Sequence, residues 1–187
     1  MVIRRTPAPP EANEMERFRR ILVVTPAQLG DVLLCTPLIR AARERWPEAR
    51  IDVLGFKKTL ELLAGNPDVG ELIEISSAGG RAAQLRQAWR LRRQYDLALV
   101  TRNGDRSHLY GIICARTRSA LLPDLGPRSF WKRLMAQHGV APVPQMHQVL
   151  LKLQLLKPWR DAPPRDSRAA RAPPRARRRS SDRRDPP

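Results

Sequence analysis

Short apolar segments rich in β-branched residues recur along most of the chain, and segments with helical periodicity lie between them. The apolar segments, which we expect to be strands, are Ile21–Val24, Ile51–Leu54, Glu71–Ile75, Leu97–Val100 and Ser119–Leu122. The 20 to 30 residues between successive starts leave room for a crossover helix each time. Such crossovers are right-handed and join parallel strands. The spacing therefore predicts an α/β fold, a Rossmann-like parallel sheet with helices on both faces.

The helical segments fill the gaps between these strands and follow the last of them. We expect helices at Val32–Trp46, Thr59–Ala64, Arg81–Gln94, Arg106–Ala115, Ser129–His138 and Gln145–Leu156. In the last helix the residues at helical spacing, which predict the face that packs on the core, are Val149, Leu150, Leu153 and Leu156. Thr36 and Pro37 allow two interpretations: Thr36 caps a helix that starts at Pro37, or Pro37 kinks a helix that starts at Asp31.

Composition divides the chain into three parts. Residues 1–17 are polar and contain several prolines, so we expect a flexible leader, and residues 18–159 carry the α/β pattern. Residues 160–187 contain only Arg, Asp, Pro, Ala and Ser. Because they cannot bury the apolar area that would offset the entropy of ordering them, we expect this tail to be disordered.

The formal net charge of +17 suits an anionic partner, such as nucleic acid, an acidic membrane surface or a phosphorylated glycan. Arginine-rich usage in a GC-rich coding sequence explains the same charge, so charge alone decides nothing. A basic nucleic-acid-binding protein is an alternative, since the tail can attract nucleic acid through counterion release. Against it, aromatic residues make up only 5% of the chain, and the sequence contains no helix-turn-helix, zinc or RNA-binding signature.

The two cysteines, Cys35 and Cys114, are too few for a disulfide framework and match no metal spacing. Both lie in expected helices, where a thiol usually behaves as a small buried apolar group. No apolar run reaches the length of a membrane span, and the first 20 residues are not typical of a signal peptide. The cytoplasm is therefore the expected location, with any membrane contact peripheral.

Ligands of an open parallel sheet bind beyond the carboxyl ends of its strands. The loops expected at these ends are Thr25–Asp31, Gly55–Lys58, Ser76–Gly80, Thr101–Asp105 and Pro123–Pro127. Neither a Gly-x-Gly-x-x-Gly fingerprint nor a phosphate loop ending in Gly-Lys-Ser/Thr follows the first strand. The sequence therefore disfavours a nicotinamide enzyme and a nucleoside triphosphatase.

A series of short motifs follows in a fixed order along the chain: Leu29-Gly30-Asp31, Thr36-Pro37-Leu38, Trp46-Pro47, Asn66-Pro67-Asp68-Val69, Tyr95-Asp96-Leu97, Asp105-Arg106-Ser107 and His147. This series resembles glycosyltransferase family 9, the heptosyltransferases that build the inner core of lipopolysaccharide. The resemblance covers residues 18–157 and is nearest to heptosyltransferase III. It implies the N-terminal, acceptor-side domain of a GT-B fold, in which a second Rossmann-like domain binds the nucleotide-sugar donor.

The resemblance also implies partners. They are ADP-heptose as the donor substrate, an anionic inner-core acceptor, and peripheral contact with the inner face of the inner membrane. No resident cofactor is expected. The family pattern stops near Pro158-Trp159, where the arginine-rich tail begins. We interpret this change as a truncated or frameshifted product that lacks the donor-binding domain, and a catalytically inactive fragment is the alternative to an active enzyme.

The candidate site residues follow from the same resemblance. Asp31 matches the family's catalytic aspartate, which accepts the proton of the acceptor hydroxyl in an inverting transfer; without the resemblance, its position is typical of a helix N-cap. Gly30 allows a tight turn and close approach of the backbone to a ligand. The cations at the same edge of the sheet, which bind the acceptor or form a solvated rim, are Lys57, Lys58, Arg102 and Arg106.

Overall fold

The computed structural model describes residues 18–75, 80–122, 130–141, 143 and 145–160. The expected leader, the tail beyond Arg160 and most of the two loops at 76–80 and 123–127 lie outside these residues. The strands are β1 (Arg20–Val24), β2 (Arg50–Gly55), β3 (Leu72–Glu74), β4 (Tyr95–Val100), β5 (Ala115–Leu121) and β6 (His138–Val140). All neighbouring strands pair in parallel, in the order β3-β2-β1-β4-β5-β6. The predicted parallel sheet is confirmed.

The described helices lie mainly where the sequence predicts them, with different boundaries. They are α1 (Leu29–Leu33), α2 (Thr36–Arg45), α3 (Lys57–Leu60), α4 (Gly80–Arg90), α5 (Asp105–Cys114), α6 (Phe130–Met135), α7 (Gln148–Leu153) and α8 (Lys157–Arg160). Short 3₁₀ turns at Glu61–Leu63 and Gln154–Leu156 extend α3 and join α7 to α8. The helix predicted at Gln145–Leu156 therefore begins three residues later than expected.

The region predicted as one helix from Val32 to Trp46 contains two helices. α1 ends at Leu33 and Cys35 is the N-cap of α2, although Leu34 and Cys35 between them keep backbone angles in the right-handed helical region. Thr36 is already helical, and its hydroxyl donates back to the carbonyl of Leu33 at 2.8 Å. Pro37 lies in the first turn, where the amide that proline lacks would have no helical partner. Both interpretations of Thr36-Pro37 are therefore wrong in detail.

Strand β6 was not predicted, because it has three residues and lacks an apolar run. Gly139 at its centre lies against Leu122, and a Cβ at this position would come within 2.5 Å of the leucine side chain. The residue immediately before it, His138, was expected to end a helix. Close backbone packing on the preceding strand, rather than local propensity, therefore defines this edge of the sheet.

The sheet separates two apolar layers, as expected for helices on both faces. Along β1 the side chains of Ile21 and Val23 join the layer under α2, whereas Leu22 and Val24 join the layer under α5. The first layer also takes in Trp159 of α8, which is fully buried and packs edge-on against Phe18, Trp46 and His138. β1 therefore lies at the centre of the fold, and the described C-terminal segment closes one of its faces.

Candidate active site

The loop after β1 carries Asp31 to the carboxyl edge of the central strand, as predicted. Asp31 lies inside α1 at its third position, and the N-cap is Gln28, whose side chain makes no capping bond. The interpretation of Asp31 as a helix cap is therefore wrong. Its carboxylate instead faces cations from two distant segments of the chain, and its side chain is 24% exposed.

Arg102 is the first of these cations. Its Nη1 donates to Oδ2 of Asp31 at 2.6 Å, and its own side chain is 46% exposed. The neighbouring Thr101 joins the ends of β4 and β1, since its amide and its hydroxyl both donate to the carbonyl of Val24 at 3.1 Å. Arg102 therefore lies beside Asp31 because the two strands that precede these residues are neighbours.

Lys152 of α7 is the second cation and was not predicted. Its Nζ donates to the main-chain carbonyl of Asp31 at 3.0 Å and lies 3.4 Å from Oδ1. Its side chain is only 1% exposed. Lysines are rarely buried to this extent unless they have a charged partner, which here is Asp31. Sequence reasoning assigned Leu150 to the buried face, but Leu150 is 55% exposed, and the buried residues are Leu151, Lys152, Leu155 and Leu156.

An open cleft of about 620 Å³ lies next to Asp31 at the same edge of the sheet. Arg102 lines this cleft together with Lys57 and Lys58, which begin α3 just after β2. Gln28 and Glu74 also contribute to its wall. Asp31 does not line the cleft itself, but it is joined to it through Arg102. The segments after β1, β2 and β4 thus bring together the Asp31 carboxylate and three cations, and Glu74 of β3 adds a second carboxylate to the wall.

Two predicted site residues differ from expectation. Gly30 lies within α1, and its φ is not in the left-handed region, so the tight turn expected of it is wrong. A Cβ at Gly30 would meet nothing within 4 Å, so a close approach of a ligand there stays a prediction. Arg106 lies in the first turn of α5, is exposed and is absent from the lining of the cleft.

Lys132 of α6 fixes the loop that follows Arg102. Its buried ammonium donates to the carbonyl of Asn103 at 2.8 Å and to Oδ1 of Asp105 at 2.5 Å. The hydrogen bond from Lys132 lowers the pKa of the Asp105 carboxyl. α6 therefore anchors the segment between β4 and α5 and holds Arg102 on the side of the sheet where Asp31 lies.

The histidines and cysteines have structural contacts. Nε2–H of His108 donates to the carbonyl of Leu121 at 3.1 Å, and burial lowers the pKa of its ring. His147 caps α7 through Nδ1, which accepts from the amide of Val149. Cys35 and Cys114 are buried, as expected, and Sγ of Cys35 donates to the Asp31 carbonyl at 3.1 Å. Burial raises the pKa of Cys114 to about 12, so its thiol is unreactive.

Two kinds of site are absent from the described residues. No group of three His, Cys, Asp or Glu side chains in this part of the chain could hold a metal ion. Likewise, no helix among these residues is both long and apolar enough to cross a bilayer.

Comparison with known proteins identifies relatives of this arrangement. No protein-family model matches the sequence. Lipopolysaccharide heptosyltransferase 3 of Escherichia coli is 29% identical over 136 residues, which is 69% of this chain and 39% of that protein. A glycosyl transferase family 9 structure from Veillonella parvula superposes with a TM-score of 0.65 at 20% identity, over 78% of this chain and 42% of the other.

Escherichia coli heptosyltransferase WaaC, solved with ADP, superposes with a TM-score of 0.60 at 17% identity, over 79% of this chain and 49% of the other. At such identities the two structures establish the fold alone. The chain spans less than half the length of each of these relatives. In sequence the chain is therefore similar to lipopolysaccharide heptosyltransferases, and in fold it is similar to glycosyltransferase family 9 structures, in each case over part of the relatives' length.

Proposed function

We propose that the chain is the acceptor-side part of a glycosyltransferase that moves heptose from ADP-heptose to the inner core of lipopolysaccharide. The relatives carry the names lipopolysaccharide heptosyltransferase 3 and lipopolysaccharide heptosyltransferase 2, and WaaC was solved with ADP and with ADP-2-deoxy-2-fluoro heptose. The observation that carries the proposal is the carboxylate of Asp31, held by Arg102 at the rim of a cationic cleft.

In this proposal Asp31 is the general base of an inverting transfer. The acceptor hydroxyl oxygen forms a bond to the anomeric carbon, the bond from that carbon to the diphosphate breaks, and ADP departs with the electron pair. The hydroxyl proton passes to the Asp31 carboxylate. The partial exposure of Asp31 supports this role, because a base must reach its substrate.

The cations of the cleft select the acceptor. Lys57 and Lys58 are exposed point charges on one wall, and Arg102 adds a planar donor beside the base. Such a set suits phosphate or carboxylate groups on the inner core, held while a neighbouring hydroxyl reaches Asp31. Arg106 is not part of this set, because it lies outside the lining of the cleft.

The donor site belongs, in this proposal, to a second domain, in the part of the relatives' length that is not matched here. No resident cofactor takes part, and ADP-heptose is a substrate. The reaction takes place in the cytoplasm at the inner face of the inner membrane, which the acceptor side approaches peripherally.

The proposed role in acceptor binding can be tested by a binding measurement, without an assay of turnover. Calorimetric titration of the chain with a soluble, heptose-bearing inner-core acceptor should saturate, whereas ADP-heptose should bind no more tightly than inorganic phosphate. Replacing Lys57 and Lys58 by Met should weaken acceptor binding by about 100-fold or more, because each of the two charged hydrogen bonds contributes roughly 1.5–3 kcal/mol. The matched control replaces Arg86 and Arg90, two exposed cations of α4. An equal loss in both variants would mean that net charge, rather than the cleft, binds the acceptor.

Turnover requires the donor domain. Reading the coding DNA beyond Trp159 in its other two frames should reveal a second α/β domain, and stop codons throughout both frames would contradict this part of the proposal. In a chain completed in that way, Asp31→Asn should lower kcat by about 10²–10⁴-fold, the usual contribution of a general base. Full activity of the variant would remove Asp31 from the mechanism.

A further inference from the structure

The two cations that contact Asp31 differ in their freedom to move. Arg102 is nearly half exposed and lines the cleft. Lys152 is 1% exposed and is enclosed by the packing of α7. They also use different atoms, since Arg102 contacts Oδ2 whereas Lys152 contacts Oδ1 and the main-chain carbonyl. An anion that enters the cleft can therefore reach Arg102 but cannot reach Lys152.

The geometry points to Lys152 as a positioning residue that keeps the Asp31 carboxylate in place when Arg102 leaves it for an anionic ligand in the cleft. This inference rests on the proposed function in one respect, namely that the ligand of the cleft is anionic. Without Lys152, release of Arg102 would leave the carboxylate with no cation. With Lys152, Oδ1 stays fixed and Oδ2, the oxygen that Arg102 releases, becomes free to accept a proton.

The environment of Lys152 fits a fixed anchor. Its Nζ has two acceptors on one residue, the carbonyl and the carboxylate of Asp31, so it restrains both the backbone and the side chain of that residue. The same carbonyl also accepts from Sγ of Cys35, which is fully buried. At its start α7 is capped by His147, which fixes the first turn of the helix that bears Lys152. The anchor therefore belongs to the packed core and not to the rim of the cleft.

The transfer of Arg102 from the Asp31 carboxylate to an anion should cost little free energy. Exposed ion pairs contribute little stability, so competition from Asp31 should weaken the binding of an anion by no more than about fivefold. A phosphate oxygen offers Arg102 the same planar, charge-assisted hydrogen bonds that the carboxylate does. Arg102→Met should therefore lower the affinity of the chain for inorganic phosphate by about tenfold, because the cleft loses one of its donors.

Crystal structures of the full chain with and without inorganic phosphate test this inference, and no heptose donor is needed. With phosphate, Arg102 should contact the anion while Oδ1 of Asp31 remains on Nζ of Lys152. If Arg102 stays on Asp31, if Asp31 follows Arg102 away from Lys152, or if no phosphate enters the cleft, the inference is wrong. The unmodified chain decides the question even if the variants below fail to fold.

Two variants separate positioning from packing. In Lys152→Met, phosphate should still enter the cleft, but the Asp31 carboxylate should leave its position when Arg102 contacts the anion. Lys157→Met, which removes an exposed charge from the neighbouring α8, should behave like the unmodified chain. If Lys152→Met takes up phosphate with Asp31 unmoved, Lys152 is only a packing residue. These structures do not measure heptose transfer. If they agree with the inference but the protein transfers no heptose, the proposed function alone is refuted.

Discussion

Replacing Asp31 by Asn should destabilise the fold, because it leaves the ammonium of Lys152 buried without its counter-charge. Removal of one partner from a buried ion pair costs about 3–5 kcal/mol. Two features favour the lower end of this range: Lys152 keeps its bond to the Asp31 carbonyl, and the carboxylate is 24% exposed. We therefore expect a loss of about 3 kcal/mol in the free energy of unfolding, or roughly 6–12 °C in Tm.

A double-mutant cycle measures the coupling between these two residues. Lys152→Met alone should cost only about 1 kcal/mol, because methionine fills most of the same space and Asp31 retains Arg102 and solvent. The double variant should also cost about 1 kcal/mol, since neither charge remains. Independent sites would instead give about 4 kcal/mol, so the expected coupling is about 3 kcal/mol.

Urea unfolding followed by circular dichroism gives the four free energies of the cycle. The matched control is the exposed pair Arg40–Glu44 on α2, for which the same cycle should give a coupling much smaller than that between Asp31 and Lys152. If the losses of unfolding free energy at Asp31 and Lys152 are additive, the ammonium of Lys152 does not depend on the carboxylate. Lys152 would then be neither the anchor of Asp31 nor the cause of the destabilisation in Asp31→Asn.

Three further predictions concern the C-terminal segment and the core. In thermal melts, deletion of residues 161–187 should leave Tm unchanged, whereas Trp159→Ala should cost about 3–5 kcal/mol because Trp159 is fully buried. Leu150→Lys should be neutral and Leu155→Ala should cost about 2–4 kcal/mol, and the reverse order would contradict the buried face of α7 and of the 3₁₀ turn that follows it. Because Cys114 stays protonated to about pH 12 when folded, stability should fall as pH rises above about 9, and Cys114→Ala should reduce that slope by up to about 1.4 kcal/mol per pH unit.

The sequence predicts the centre of the fold well because the signal there is local. Apart from one polar residue at or near the start of each (Arg20, Arg50 and Asp96), β1, β2 and β4 are buried, and they are near-continuous apolar runs, the pattern typical of a parallel sheet. The break between α1 and α2 was missed because the residues at the break, Leu34 and Cys35, are compatible with a helix. β6 was missed because packing of Gly139 on Leu122, and not propensity, defines it.

The candidate site, too, could be predicted only in part from the sequence. Asp31, Lys57 and Arg102 could be grouped in advance, because the loops after adjacent parallel strands must meet at one edge of the sheet. Lys152 could not, since it is 121 residues from Asp31 and reaches it through a helix whose direction depends on tertiary packing. One local signal was available: Leu151, Leu155 and Leu156 form an apolar stripe that includes position 152, so a lysine there must be buried.

The pairing of Asp31 with Lys152 changes how a loss of activity in an Asp31 variant should be interpreted. Such a variant removes the proposed base and also unbalances a buried charge, so part of its lost turnover would come from unfolded protein. The double variant Asp31→Asn/Lys152→Met separates the two effects, because it lacks the base but should retain about 2 kcal/mol of the stability that the single variant loses. If the double variant is folded and still inactive in heptose transfer, Asp31 acts in the chemistry. If it regains turnover, the carboxylate serves only as the counter-charge of Lys152.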